Sequence, residues 1–186
     1  QNLHILDLGT NKISGEIPST IGNLTQLLSL YLDYNELSGI IPANLGNCQQ
    51  LNLLHLSTNK FTGAIPKEIL KIPTLSIALD LSNNSLTGAI PSEVGSLTNL
   101  GIIDFGFNKL SGEIPSTFGE CKVLEELYLG GNFIQGIIPS SLASLRGIQV
   151  LYLSQNNLSG RIPDFLQGFR NLHSLNLSFN NFEGEV

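Results

Sequence analysis

Two columns of apolar residues run through this chain, separated by one variable position. The first is Leu6, Leu30, Leu54, Leu79, Ile103, Leu127, Leu151 and Leu175. The second is Leu8, Leu32, Leu56, Leu81, Phe105, Leu129, Leu153 and Leu177. Apolar alternation over so few residues predicts a short strand with one buried face. Three residues past each second-column position stands an Asn: Asn11, Asn35, Asn59, Asn84, Asn108, Asn132, Asn156 and Asn180. Four residues after each Asn comes a Gly, from Gly15 to Gly184, followed in the first seven repeats by Ile two positions on and Pro three positions on. The step is 24 residues throughout, except for 25 between Asn59 and Asn84. Pro73 is the one proline out of step, and it reads as the point where the extra residue enters.

Self-similarity at this period predicts stacked coils, each too small to hide its own apolar edge. Stacked strands place each residue about 4.8 Å from its equivalent, so leucine packs on leucine. A fully buried leucine contributes roughly 1.5–3 kcal/mol. The Asn column is read as structural. Where the chain turns off the strand its backbone groups lose sheet partners, and an amide side chain offers both donor and acceptor. In the Gly-x-Ile-Pro step the glycine permits a bend. The isoleucines Ile17, Ile41, Ile65, Ile90, Ile114, Ile138 and Ile162 are expected in the core, with Val186 in the eighth place. Proline then opens a 3₁₀ turn, carrying Ser116–Thr117–Phe118 in one coil and Ser140–Ser141–Leu142 in another.

Composition narrows the functional classes. Charged residues are only 13% and the net charge is −6, which argues against a nucleic-acid partner. No apolar run approaches the roughly 20 residues of a membrane span, and no signal peptide is visible at the start. Cys48 and Cys121 share a core column with Leu24, Ile72, Leu97, Leu145 and Phe169, three coils apart. That is roughly 14 Å at strand spacing, too far for a disulfide, so both are expected as buried free thiols. His4, His55 and His173 form no cluster with each other or with cysteine, so no metal, cofactor or catalytic set is expected. Four glycosylation sequons begin at Asn23, Asn83, Asn157 and Asn176.

The word Leu-x-x-Leu-x-Leu-x-x-Asn-x-Leu-x-Gly-x-Ile-Pro resembles the plant-specific class of leucine-rich repeats, and it covers essentially the whole chain. The segments Leu75–Gly88, Gly119–Glu125 and Leu175–Val186 are similar to ectodomains of plant receptor-like kinases that sense microbial patterns. The resemblance implies an α/β leucine-rich repeat solenoid, a right-handed superhelix with a parallel sheet on its concave face and short 3₁₀ turns on its convex side. Residues 1–186 are then a single array of about eight 24-residue repeats. The chain begins inside a repeat and stops before its eighth Pro, so a fragment without N- or C-terminal caps is expected. The implied parent is a glycoprotein on the extracellular side of the plasma membrane, or secreted into the apoplast, acting in innate immunity. A membrane span and a kinase would lie outside this chain, and the array itself would not be an enzyme.

In a solenoid of this kind function is written on the concave strands. Between the two leucine columns stand Asp7, Tyr31, His55, Asp80, Asp104, Tyr128, Tyr152 and Asn176. Just before lies Glu126; just after lie Asp33, Tyr34 and Phe107. All 4 tyrosines of the chain fall in these columns, with five acids and no Lys or Arg. The candidate ligand-binding residues are therefore Tyr31, Asp33, Tyr34, His55, Asp80, Asp104, Phe107, Glu126, Tyr128 and Tyr152. The expected partner is a peptide or protein with basic groups, alongside a co-receptor of the same repeat class. Two other readings share the repeat. One is a secreted inhibitor of a cell-wall-degrading polygalacturonase. The other is an ice-binding surface, which wants a more regular ladder than these mixed columns offer. A consensus-designed scaffold fits poorly with the irregular step at Pro73 and the scattered sequons.

Overall fold

The computed structural model describes residues 2–185. Eight three-residue strands form one parallel sheet in chain order: Ile5–Asp7, Ser29–Tyr31, Leu53–His55, Ala78–Asp80, Ile102–Asp104, Glu126–Tyr128, Val150–Tyr152 and Ser174–Asn176. The register is the one the columns demand, with Leu6 beside Leu30 and Leu127 beside Leu151. Both leucine columns are closed to solvent through the middle coils and open only at the two ends, where Leu8 is 38% and Leu175 is 43% exposed.

A second eight-stranded parallel sheet lies beyond the Asn column, built from Ser14–Glu16, Glu36–Ile40 and their successors down to Asn181–Phe182. It was not anticipated from the repeat, although its cause is visible there. The alternation continues past each Asn: Phe61 and Ile65 are buried while Lys60, Thr62 and Ala64 are exposed. The glycine bend therefore falls within or at the end of these strands, at φ between 76° and 82° from Gly39 to Gly160 for Gly39, Gly63, Gly88, Gly112, Gly136 and Gly160.

3₁₀ turns follow the prolines, five residues long as at Ser116–Glu120 after Pro115 and Ser140–Ser144 after Pro139, and three at Ile69–Lys71 in the third coil. Ile17, Ile41, Ile65, Ile90, Ile114 and Ile138 are buried as expected, but Ile162 is 41% exposed. Val186 lies outside the described residues. Cys48 and Cys121 are buried free thiols.

The extra residue does not enter at Pro73. Ile72 and Leu75 keep the register of Cys48 and Leu51, so Pro73 simply stands in the Gln49 column. The insertion falls at Ser76–Ile77, whose carbonyls take the Gly101 and Ile102 amides separately where the other coils offer one carbonyl to both, and Ile77 is left 51% exposed. A position just before a strand accepts an added residue because its register is set by the leucines after it.

From Asn35 to Asn180, each side chain of the Asn column ties two coils together. The Asn108 amide donates to the carbonyls of Phe105 and Gly106 in its own turn and to Leu81 one coil back. Its oxygen accepts the Leu86 N–H at 2.9 Å. Asn108, Asn132 and Asn156 are among the few buried polar side chains.

Candidate peptide-binding face

Strand register sets the candidate residues in one row. Tyr31 pairs with His55, His55 with Asp80, Asp80 with Asp104, Asp104 with Tyr128 and Tyr128 with Tyr152. All six are half-buried, standing on the sheet with part of each side chain open. Tyr31 and His55 meet edge to face with centroids 5.5 Å apart. Tyr128 and Tyr152 do the same at 5.3 Å. The Tyr128 hydroxyl donates to the Glu126 carboxylate at 2.7 Å, which brings Glu126 into the same patch. Burial first, then that hydrogen bond, pushes the Tyr128 hydroxyl well above its ordinary range, so it stays a donor. The Tyr152 hydroxyl is 2.9 Å from the Ser174 hydroxyl.

The acids of this row are partly occupied by the fold. Asp7, Asp80 and Asp104 each accept the N–H two residues on, from Gly9, Ser82 and Gly106. Asn176 does the same for Ser178. One carboxylate oxygen thus steadies the exit from the strand, and the other is available to a partner.

Asp33, Tyr34 and Phe107 are not on the strands. They lie in the turn that follows, and Tyr34 and Phe107 hold left-handed backbone at φ 52° and 53°. The whole column shares this conformation, from Thr10 to Phe179 with Gly131 among them. A bulky side chain at positive φ is strained. Tyr34 and Phe107 are also 59% and 58% exposed. Nothing in the alternation marks this position, because a left-handed residue at a strand's end looks like one more outward residue. The neighbouring column is also less open than a strand face would be: Ser57 and Ser82 are buried.

Between the fifth and eighth coils these features converge. A hollow of about 240 Å³ is walled by Asp104, Phe107, Tyr128, Tyr152 and Gln155 and floored by Gly106 and Gly130. Sequence reasoning passed over the two glycines. Their signal is that both stand where other coils carry Asp33, Ser57, Ser82 or Ser154. Tyr31 and His55 stand apart from this hollow, toward the other end of the row.

Asp104 is the electrostatic centre. Burial raises its carboxyl from 3.8 to about 6, neighbouring Asp80 pushes the same way, and the Gly106 N–H pulls back. The folded chain therefore holds this proton more tightly than the unfolded chain. Stability is lost as pH rises from the ordinary carboxyl range through about 6. Asp104→Asn keeps the acceptor for Gly106 and removes the charge. It should raise the thermal midpoint at about pH 8 and leave it unchanged near pH 4. An equal shift at both pH values would contradict the assignment.

The sequons Asn23, Asn83 and Asn157 are exposed, whereas Asn176 is half-buried in the tyrosine row. Among the described residues no helix is long and apolar enough to cross a membrane.

A family model described as leucine rich repeat matches residues 1–61 and 122–182, and a second of the same description matches 77–97 and 99–121. Comparison with curated proteins found no match. Several solved structures are similar. The plant peptide hormone receptor RGFR1 in complex with RGF2 is 42% identical, with a TM-score of 0.95 over 97% of this chain and 29% of that one. The Arabidopsis receptor kinase HAESA, in complex with the peptide hormone IDA and the co-receptor SERK1, is 40% identical. Its TM-score is 0.95 over 100% of this chain and 31% of that one. PEPR1 with AtPEP1 is 40% identical, with a TM-score of 0.93 over 99% of this chain and 26% of that one. The chain thus spans less than a third of each. Repeat, coil geometry and these likenesses agree that the chain belongs to the leucine-rich repeat family, in the form found in plant receptor kinases.

Proposed function

We propose that this chain is a ligand-recognising stretch of a plant receptor-kinase ectodomain and that its ligand is a peptide laid along the concave sheet. The observation that carries this reading is the hollow in which a carboxylate, Asp104, stands among Phe107, Tyr128 and Tyr152. Such a site suits a Lys or Arg side chain, because ring faces and a carboxylate both attract a cation. The likeness to the peptide hormone receptor RGFR1 with RGF2, HAESA with the peptide hormone IDA, and PEPR1 with AtPEP1 supports the reading. Eight strands at about 4.8 Å give a sheet roughly 34 Å long, which a ten-residue extended peptide spans. The array then sits on the extracellular side of the plasma membrane, with its kinase and membrane span elsewhere in the parent protein. A co-receptor and an immune role belong to the same proposal.

Binding to a panel of ten-residue peptides, each carrying one Lys or Arg, tests it against the same peptides carrying Gln. Tyr128→Ala with Tyr152→Ala should weaken capture of the best peptide by roughly 30-fold or more, since central aromatic anchors dominate such interfaces. Unchanged affinity in a folded double variant, or indifference to Gln, would remove the hollow from the binding site.

A further inference from the structure

A second surface lies on the loops that lead from the 3₁₀ turns back to the concave strands. The position one residue past the Cys48–Cys121 column is occupied by Thr25, Gln49, Pro73 and Thr98, and then by Lys122, Arg146 and Arg170. Three consecutive coils of a chain with net charge −6 thus present a cation at the same place. All three are exposed. The ion pairs among the described residues are Lys60–Glu36 and Lys71–Glu93, so none of these three takes part in one. Glu120 and Glu125 flank Lys122 on its own coil. Around Arg146 and Arg170 the corresponding positions are Ser144 and Gln149, then Gly168 and His173, with no acid.

Shape reinforces charge. In four other coils the 3₁₀ turn carries a glycine where the next turn's backbone touches it: Gly22, Gly46, Gly95 and Gly119. The sixth coil has Ala143 there. The third coil has Leu70 at this position, and beside Ala143 a hollow of about 630 Å³ lies between Ala143, Arg146, Phe165, Gly168 and Arg170. Phe165 is half-buried at its wall.

We infer that Lys122, Arg146 and Arg170 bind a linear anionic polysaccharide, a polymer with one carboxylate or sulfate on each sugar. The cations stand one to a coil on three consecutive coils, and the paired strands of neighbouring coils lie about 4.8 Å apart. A polymer bearing a charge on every ring meets such a ladder with one charge after another, and the half-buried Phe165 ring offers a flat apolar wall for a sugar face. This surface is separate from the concave sheet, and the inference stands whether or not a peptide binds there.

The test uses the whole chain and three probes of matched length: polygalacturonate oligomers, heparin oligomers and poly-glutamate. Lys122→Gln, Arg146→Gln and Arg170→Gln are combined in one variant. A control combines Lys12→Gln, Lys60→Gln and Lys109→Gln, which removes the same charge from the column that follows the Asn residues. The wild type should bind at least one of the two sugar polymers in low salt, and weaken as salt rises. The ladder variant should lose about tenfold or more, while the control stays within about twofold. Which sugar polymer binds tells carboxylate from sulfate. No binding to either, equal loss in both variants, or poly-glutamate bound as tightly as the sugar polymers would overturn the inference.

Discussion

Replacing Asn84 and Asn108 by Ala together should cost more stability than the two single replacements summed. The reason lies in how the Asn side chains share acceptors. Asn84 donates to Leu56, Leu81 and Ser82, and its oxygen accepts the Phe61 N–H. Asn84→Ala strands only that N–H. The Leu56 carbonyl keeps Asn59, Ser82 keeps the Thr58 N–H, and Leu81 keeps Asn108. Asn108→Ala is equally lenient, because Leu81 keeps Asn84, Phe105 keeps Asn132 and Gly106 keeps the Asn83 N–H. Only the Leu86 N–H is orphaned. Each single change should cost about 1–3 kcal/mol, the penalty of one unpaired buried group. In the double variant the Leu81 carbonyl loses both donors, which adds about 1–2 kcal/mol beyond the sum. Asn84→Ala with Asn132→Ala is the control, since these two share no acceptor. Urea unfolding of all five variants reads the coupling. Additive costs in the Asn84–Asn108 pair would mean that the shared carbonyl carries no weight.

Much of this fold was legible because identical coils repeat the same packing problem. The Leu columns, the Asn column and the proline-opened turns each have one physical reason, and eight copies make it visible. The second sheet was legible too, in the Leu37, Phe61, Leu86 and Leu110 column that continues the alternation past the Asn. A bend reading of the glycines hid it, although glycine at positive φ also fits within a strand that bends. The insertion was misplaced because Pro73 is conspicuous and Ile77 is not.

The candidate face was legible by column but not by depth. Tyr31, His55, Asp80, Asp104, Tyr128 and Tyr152 share a row because a strand's period is two. What the period leaves out is where the strand ends. Tyr34 and Phe107 stand past that end at positive φ, and the hollow depends on Gly106 and Gly130, whose contribution is a missing side chain. Local pattern registers what a residue presents and is blind to the space that glycine leaves.

The same blindness applies to the glycines of the 3₁₀ turns, and it yields a sharp contrast between two chemically identical substitutions. Gly119→Ala should destabilise the chain by about 2–3 kcal/mol, the cost of overpacking a close backbone contact. A β-carbon on Gly119 would stand 2.5 Å from the Ser141 carbonyl oxygen and 3.0 Å from the Ser141 β-carbon. Neither atom can move alone, since Ser141 belongs to the next coil's turn, Ser140–Ser144. The coils must part, and parting them opens the contact between Phe118 and its neighbours in the core. Gly168 occupies the last position of the seventh turn, and a β-carbon there meets nothing within 4 Å. Gly168→Ala should therefore be neutral or stabilise by about 0.5 kcal/mol, because Ala has less freedom to lose on folding. Gly119 does not need positive φ, so backbone strain cannot produce the difference. Melting and urea midpoints of the two variants measure it directly. Equal effects at both sites would show that the turns can separate freely.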